Sequence, residues 1–130
     1  MKTALMARML LSLFFLPETA LKPANAGDRI MAYYFLAEGC PHCKDEKVFL
    51  AALQQKYPQL EIRSFEVKKN RENAALFTRI AETYSISIKG VPATFIGGLP
   101  PVIGYLGDRS SGRDIEQHVS IAGQIPAMIP

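Results

Sequence analysis

The sequence predicts an α/β domain: a four-stranded mixed sheet flanked by three helices. Three observations predict it. Apolar runs of strand length alternate with stretches of helical period, and Gly or Pro punctuates the junctions. The resulting order is strand, helix, strand, helix, strand, strand, helix. Its first half is a β-α-β unit, which requires a right-handed crossover and a parallel pair, and its second half contains a hairpin, which adds antiparallel strands.

Ile30 to Leu36 (IMAYYFL) is apolar and aromatic and has the length of a buried strand. Gly39 breaks it. A helix is predicted from Pro41, because a proline at the first helical position forfeits only an N–H that would be unpaired there anyway. Phe49, Leu50, Leu53 and Tyr57 recur at helical spacing, and Pro58 stops the run. Leu60 to Val67 (LEIRSFEV) is a second strand with imperfect alternation. Asn70 can cap a second helix whose apolar face is Leu76, Phe77, Ile80 and Tyr84. Gly90-Val91-Pro92 leads into a third strand, Ala93 to Ile96, and Gly97-Gly98 signals a hairpin. Pro101 to Tyr105 is the fourth strand, with Pro101 confined to its first position or to an edge. Ser111 with Asp114 resembles a capping box for a last helix lined by Ile115, Val119 and Ala122.

The chain has 130 residues, 48% hydrophobic and 21% charged, enough apolar mass for one core. Its formal net charge is +3. Three of the 15 basic and one of the 12 acidic side chains lie in residues 1–26, leaving 12 against 11 in the remainder. The basicity is thus mostly a property of the leader, and no basic patch interleaved with aromatics supports nucleic-acid binding. The leader itself has three parts. Lys2 and Arg8 make a positive start, Met9 to Leu16 is a short apolar run, and Ala24-Asn25-Ala26 is a small-x-small site before Gly27. That is the pattern of a secretory signal peptide over residues 1–26. The run is far short of the roughly 20 residues that span a bilayer. The expected mature domain, residues 27–130, is exported to the periplasm or a comparable compartment, where a dithiol has disulfide chemistry to perform.

Both cysteines of the chain sit in Cys40-Pro41-His42-Cys43. They can close into a disulfide and reopen, and neither has another cysteine to pair with. Cys40 falls at the mouth of the first helix, where unpaired N–H groups and the helix dipole favour an anion. Cys43 lies one turn in, on the stripe of Leu50, Leu53 and Tyr57. Cys40 is therefore expected to be the exposed attacking thiol and Cys43 the buried resolving one. A free cysteine titrates near about 8.5, whereas helix-start thiols of this spacing fall to roughly 7 or even roughly 3.5. A shift of about five units corresponds to about 7 kcal/mol in favour of the thiolate. His42, held between the sulfurs, adds to that effect, and a stabilised thiolate makes the disulfide the stronger oxidant.

The run Tyr34 to Cys43 resembles the active-site strand and helix start of the thioredoxin-like superfamily. Pro41-His42 is the dipeptide of DsbA-type periplasmic disulfide oxidases, and Gly90-Val91-Pro92-Ala93-Thr94-Phe95-Ile96 resembles the segment that carries the superfamily's cis-proline. The resemblance covers Ile30 to about Gly123 and implies several expectations. The Val91–Pro92 bond is cis, faces the cysteines and pairs with an extended substrate strand. The protein is a thiol–disulfide oxidoreductase acting on protein thiols or disulfides, with no organic cofactor, a membrane redox partner for turnover, and a monomeric state. No helical insertion fits between Tyr57 and Lys89, so the size is that of a glutaredoxin-like minimal domain. The acid that thioredoxins bury in the active-site strand falls at Tyr34, so no carboxylate is expected there. Two rival classes stand beside this one. Cys40, His42, Cys43 and His118 could be counted as metal ligands, although a histidine between the cysteines suits a closed tetrahedral site poorly and no metal site is expected. A redox-inert adaptor of a membrane assembly would keep the fold and leave the cysteines as a static bridge.

Overall fold

A computed structural model describes residues 29–125. The expected leader, residues 1–26, and the proline-rich end, residues 126–130, lie outside the described residues. The elements are β1 (Ile30–Leu36), α1 (Pro41–Lys56), β2 (Leu60–Glu66), α2 (Arg71–Thr83), β3 (Ala93–Ile96), β4 (Val102–Ile103) and α3 (Arg113–Gln124). The four strands form one mixed sheet in the order β2-β1-β3-β4. β1 runs parallel to β2, in register Ile30 with Leu60, and antiparallel to β3, in register Phe35 with Ala93. β3 and β4 are antiparallel.

The period-2 geometry of β1 sends its side chains to two different cores. Ile30, Ala32 and Tyr34 face one layer with Leu50 and Leu53 of α1 and Ile115 and Val119 of α3. Phe35 faces the other with Phe77 of α2 and Ala93 and Phe95 of β3. β1 is thus covered on both faces, which is why its sequence reads as nearly continuous apolar. α2 is attached to the sheet largely through aromatic rings. Phe35 stacks on Phe77 at 4.5 Å between centroids and on Phe65 at 5.1 Å, and meets Phe95 edge-on at 5.7 Å.

Local chemistry sets the ends of the helices. The Asn70 side chain accepts the Asn73 N–H at 3.0 Å and starts α2 as its sequence predicts. α3 starts differently. Ser111 and Asp114 form no capping box, because the Ser111 hydroxyl is turned inward and accepts the Leu106 N–H at 3.0 Å. A wide helical turn over Asp108–Gly112 leads into α3 instead, with Gly112 packed against the Phe49 ring. β4 is also shorter than the five residues expected. Gly104 bends the chain away at φ 82°, and its N–H bonds to the Pro92 carbonyl at 2.7 Å. Tyr105 then turns into the core rather than extending the strand.

Phe35 is the side chain that joins β1, β2, β3 and α2. Phe35→Ala is expected to lower unfolding free energy by about 3–5 kcal/mol, measured by urea denaturation. A loss below about 1 kcal/mol would show that this aromatic layer does not carry α2.

Candidate functional site

The site begins where β1 hands over to α1. Gly39, at φ 81°, makes the turn that a side chain with a Cβ would resist. Cys40 is the extended residue that caps α1, and Pro41 occupies the first helical position. The Cys40 Sγ accepts the Cys43 N–H at 3.1 Å, so the sulfur takes the place that a serine or aspartate oxygen usually fills at a helix start. The first turn of α1 carries no acidic side chain to compete for the dipole. Cys40 and Cys43 are joined by a disulfide, with Cα atoms 5.2 Å apart. Cys40 is partly exposed and Cys43 only 2% exposed.

The wall opposite the sulfurs comes from the segment before β3. The Val91–Pro92 peptide bond is cis. The Val91 carbonyl oxygen lies 4.0 Å from Cys40 Sγ, and Pro92 is buried beneath it. The sheet order explains the meeting: β3 lies beside β1, so the residues entering β3 and leaving β1 share one end of the sheet. His42 is exposed on the outer side of α1. Glu38, also near Cys40 in sequence, is exposed and ion-paired with Lys69.

One group at this site has no counterpart in the sequence reading. Glu46 lies on α1 one turn beyond Cys43 and is fully buried. Helical side chains lean toward the N-terminus, so Glu46 lies over the turn that carries Cys43. Its Oε1 accepts a hydrogen bond from the Thr94 hydroxyl of β3, two residues after Pro92, while Oε2 has no partner among the described residues. Burial pushes its carboxyl up to about 7, partly opposed by the Thr94 bond. Tyr34 occupies the β1 position beside it. The Tyr34 hydroxyl donates to the Cys43 carbonyl at 2.5 Å, and burial followed by the Glu46 charge holds its pKa well above the usual phenol range. β1 therefore carries a phenol at this position, and the buried carboxyl beside it comes from α1. The spacing of three residues after Cys43, on the same stripe as Leu50 and Leu53, is the signal that could have placed it inside.

Among the described residues no group of three or more His, Cys, Asp or Glu side chains is arranged to hold a metal ion. None of their helices is long and apolar enough to cross a membrane.

No protein-family model matches the chain, and no curated protein matches it. Solved structures do. A protein from Clostridium perfringens described as thioredoxin-like superposes with a TM-score of 0.55 at 16% identity, over 80% of this chain and 79% of that one. Thioredoxin f2 of Chlamydomonas reinhardtii gives 0.54 at 19% identity, over 72% and 82%. The fold is thioredoxin-like. MTB dsbF, solved in mixed oxidized and reduced forms, gives 0.51 at 12% identity, over 73% and 81%. At these identities the likeness is one of fold, so the chemistry of this thioredoxin-like domain has to be read from its own residues.

Glu46 sets a pH dependence whose sign follows from its burial. Its carboxyl loses a proton near 4.5 in the unfolded chain and near about 7 when folded. Across that window the folded state holds the extra proton, so stability falls as pH rises, by on the order of 3 kcal/mol. Glu46→Gln keeps an acceptor for Thr94 and removes the titration. The difference in urea stability between variant and wild type is expected to move in the variant's favour by that amount from pH 4 to pH 8. An unchanged difference would mean that Glu46 does not titrate in the fold.

Proposed function

We propose that this domain is an exported thiol–disulfide oxidoreductase that exchanges the Cys40–Cys43 pair with protein thiols and disulfides. The observation that carries the reading is the capping contact: the partly exposed sulfur of Cys40 accepts a helix N–H while Cys43 is buried behind it. A sulfur held in this way is a better thiolate and a better leaving group than a free one.

In the oxidising direction a substrate thiolate attacks Cys40 Sγ. The Cys40–Cys43 bond breaks and Cys43 leaves with the electron pair. A second substrate thiolate then attacks the substrate sulfur of the mixed disulfide, and Cys40 departs as a thiolate. Two electrons pass from two substrate thiols to the protein, and a redox partner at the membrane takes them onward. Run in reverse, the Cys40 thiolate attacks a substrate disulfide and Cys43 expels the product. The Val91–Pro92 backbone offers an edge against which an extended substrate lies while attached to Cys40. Glu46, one turn from Cys43, supplies and takes back the proton that the buried sulfur needs, a task suited to a carboxyl titrating near about 7. The Pro41-His42 dipeptide, like that of DsbA-type oxidases, favours the oxidising direction.

The assignment of attack and resolution has a direct test. Cys40→Ser is expected to abolish exchange with reduced and oxidised peptides. Cys43→Ser is expected to accumulate mixed disulfides through Cys40, visible by mass spectrometry. Wild-type activity in both variants would overturn this assignment, and no exchange by the wild-type protein itself would leave the pair as the static bridge of an adaptor.

A further inference from the structure

The exchange chemistry draws on β1, α1 and β3, yet the end of β2 is bound to the turn that precedes Cys40. Glu66, the last residue of β2, lies opposite Leu36, the last residue of β1. The Val67 N–H donates to the Leu36 carbonyl at 2.9 Å, and there the strand ladder ends. The Glu66 side chain continues the connection. Its Oε1 accepts the Glu38 N–H at 3.2 Å and the Lys68 N–H at 2.9 Å, and its Oε2 accepts the Lys69 N–H at 2.8 Å. Its backbone carbonyl accepts the Asn73 side-chain amide of α2 at 2.9 Å. One residue thus joins β2, the turn before Cys40 and the start of α2. The Lys69 N–H, with those of Glu38 and Lys68, holds the Glu66 carboxyl below the usual carboxylate range. It is therefore ionised at neutral pH, and each bond to it is charge-assisted.

Glu38 and Gly39 are the middle of a turn that the Cys40 N–H closes on the Ala37 carbonyl at 3.2 Å. The Glu38 N–H points out of that turn to Glu66, which fixes the orientation of the Ala37–Glu38 peptide. Two residues on, the chain must deliver the Cys40 sulfur to the Cys43 N–H, so a tilt of that peptide misplaces the cap. The same carboxylate also places a charge. Lys69, whose N–H it holds, ion-pairs through its ammonium with the Glu38 carboxylate. Glu38 is the acidic residue nearest to Cys40 in sequence, and a like charge beside a sulfur opposes its thiolate. The Lys69 and Glu38 side chains are 68% and 62% exposed, so their pair contributes little to stability. Its consequence falls on the sulfur. We propose that Glu66 is a positioning residue for exchange at Cys40: it fixes the turn that presents the sulfur to the helix start, and it sets Lys69 against Glu38. The inference rests on the exchange activity proposed above.

Titration of the Cys40 thiol by its thiolate absorbance, in the full chain carrying Cys43→Ser, reads the effect. Positioning and charge predict opposite signs for Glu66. Removing its negative charge alone lowers the Cys40 pKa, whereas freeing the turn raises it. Glu66→Ala is expected to raise the Cys40 pKa by at least about 0.5, which cuts the thiolate about threefold at pH values below the transition. Glu66→Gln keeps one oxygen for the Glu38 and Lys68 N–H groups, and its Cys40 pKa is expected to stay close to the parent value. A lower or unchanged pKa in Glu66→Ala would overturn the inference. Lys69→Gln changes an exposed side chain, leaves the Glu66 bonds in place and serves where Glu66→Ala does not fold. It is expected to raise the Cys40 pKa beside Glu38, and to have at most about half that effect in a Glu38→Gln background. An equal rise in both backgrounds would mean that Lys69 acts on the sulfur without Glu38, and would overturn the inference. Reaction of the reduced wild-type protein with glutathione disulfide separates this inference from the exchange reading. Two electrons pass from the Cys40–Cys43 dithiol to glutathione disulfide, leaving the protein disulfide and two glutathione thiols. No reaction would overturn both readings, whereas reaction together with unchanged pKa values in the variants would overturn this inference alone.

Discussion

A single hydrogen bond organises the site: the Cys43 N–H donated to the sulfur of Cys40. It can form only if the chain leaves β1 through the Gly39 turn and enters α1 with Pro41 in the first helical position. It places one sulfur at the positive end of a 16-residue helix and the other inside the stripe of Leu50 and Leu53. The inequality between the two sulfurs follows from that geometry. Cys40 lies partly exposed at the helix start, whereas Cys43 is buried, with the Tyr34 hydroxyl on its backbone carbonyl and the buried Glu46 one turn further along α1.

The sheet brings the second half of the site to the first. Because β3 pairs with β1 rather than following β2 at the edge, the Val91–Pro92 segment enters the sheet next to the point where Cys40 leaves it. Thr94, two residues on, reaches across to Glu46 and joins the central strand to the active helix through a buried polar contact. A buried carboxylate is costly when charged and tolerable when neutral, so the same contact that positions α1 also gives the interior a group that exchanges protons near neutral pH.

Much of this was legible in the residues. The bounds of β1 and β3, the start of α1 at Pro41, the Asn70 cap and the order of strands and helices are local or topological consequences of pattern, and the structure agrees with them. The structure departs from the local pattern where tertiary contacts override it. Ser111 has the spacing of a capping residue but spends its hydroxyl on Leu106, a partner set by how the loop packs. Tyr105 has the composition of a strand end, yet Gly104 turns it inward beneath α1. Glu46 is one charged residue among several in a helix that includes Lys44, Asp45 and Lys47, and helical spacing alone does not reveal that its partner is Thr94, 48 residues away. Val48 of α1 and Leu106 of the loop after β4, 58 positions apart, line one groove only because the fold sets that loop against α1.

Exchange at this site depends on the capping sulfur being an activated thiolate. Titration of the Cys40 thiol in reduced protein, followed by thiolate absorbance with Cys43→Ser as the single-cysteine control, measures it directly. A transition at or below about 7 is expected, clearly under the roughly 8.5 of a free cysteine. A transition above about 8 would contradict it, because the helix start would then confer no preference for the anion.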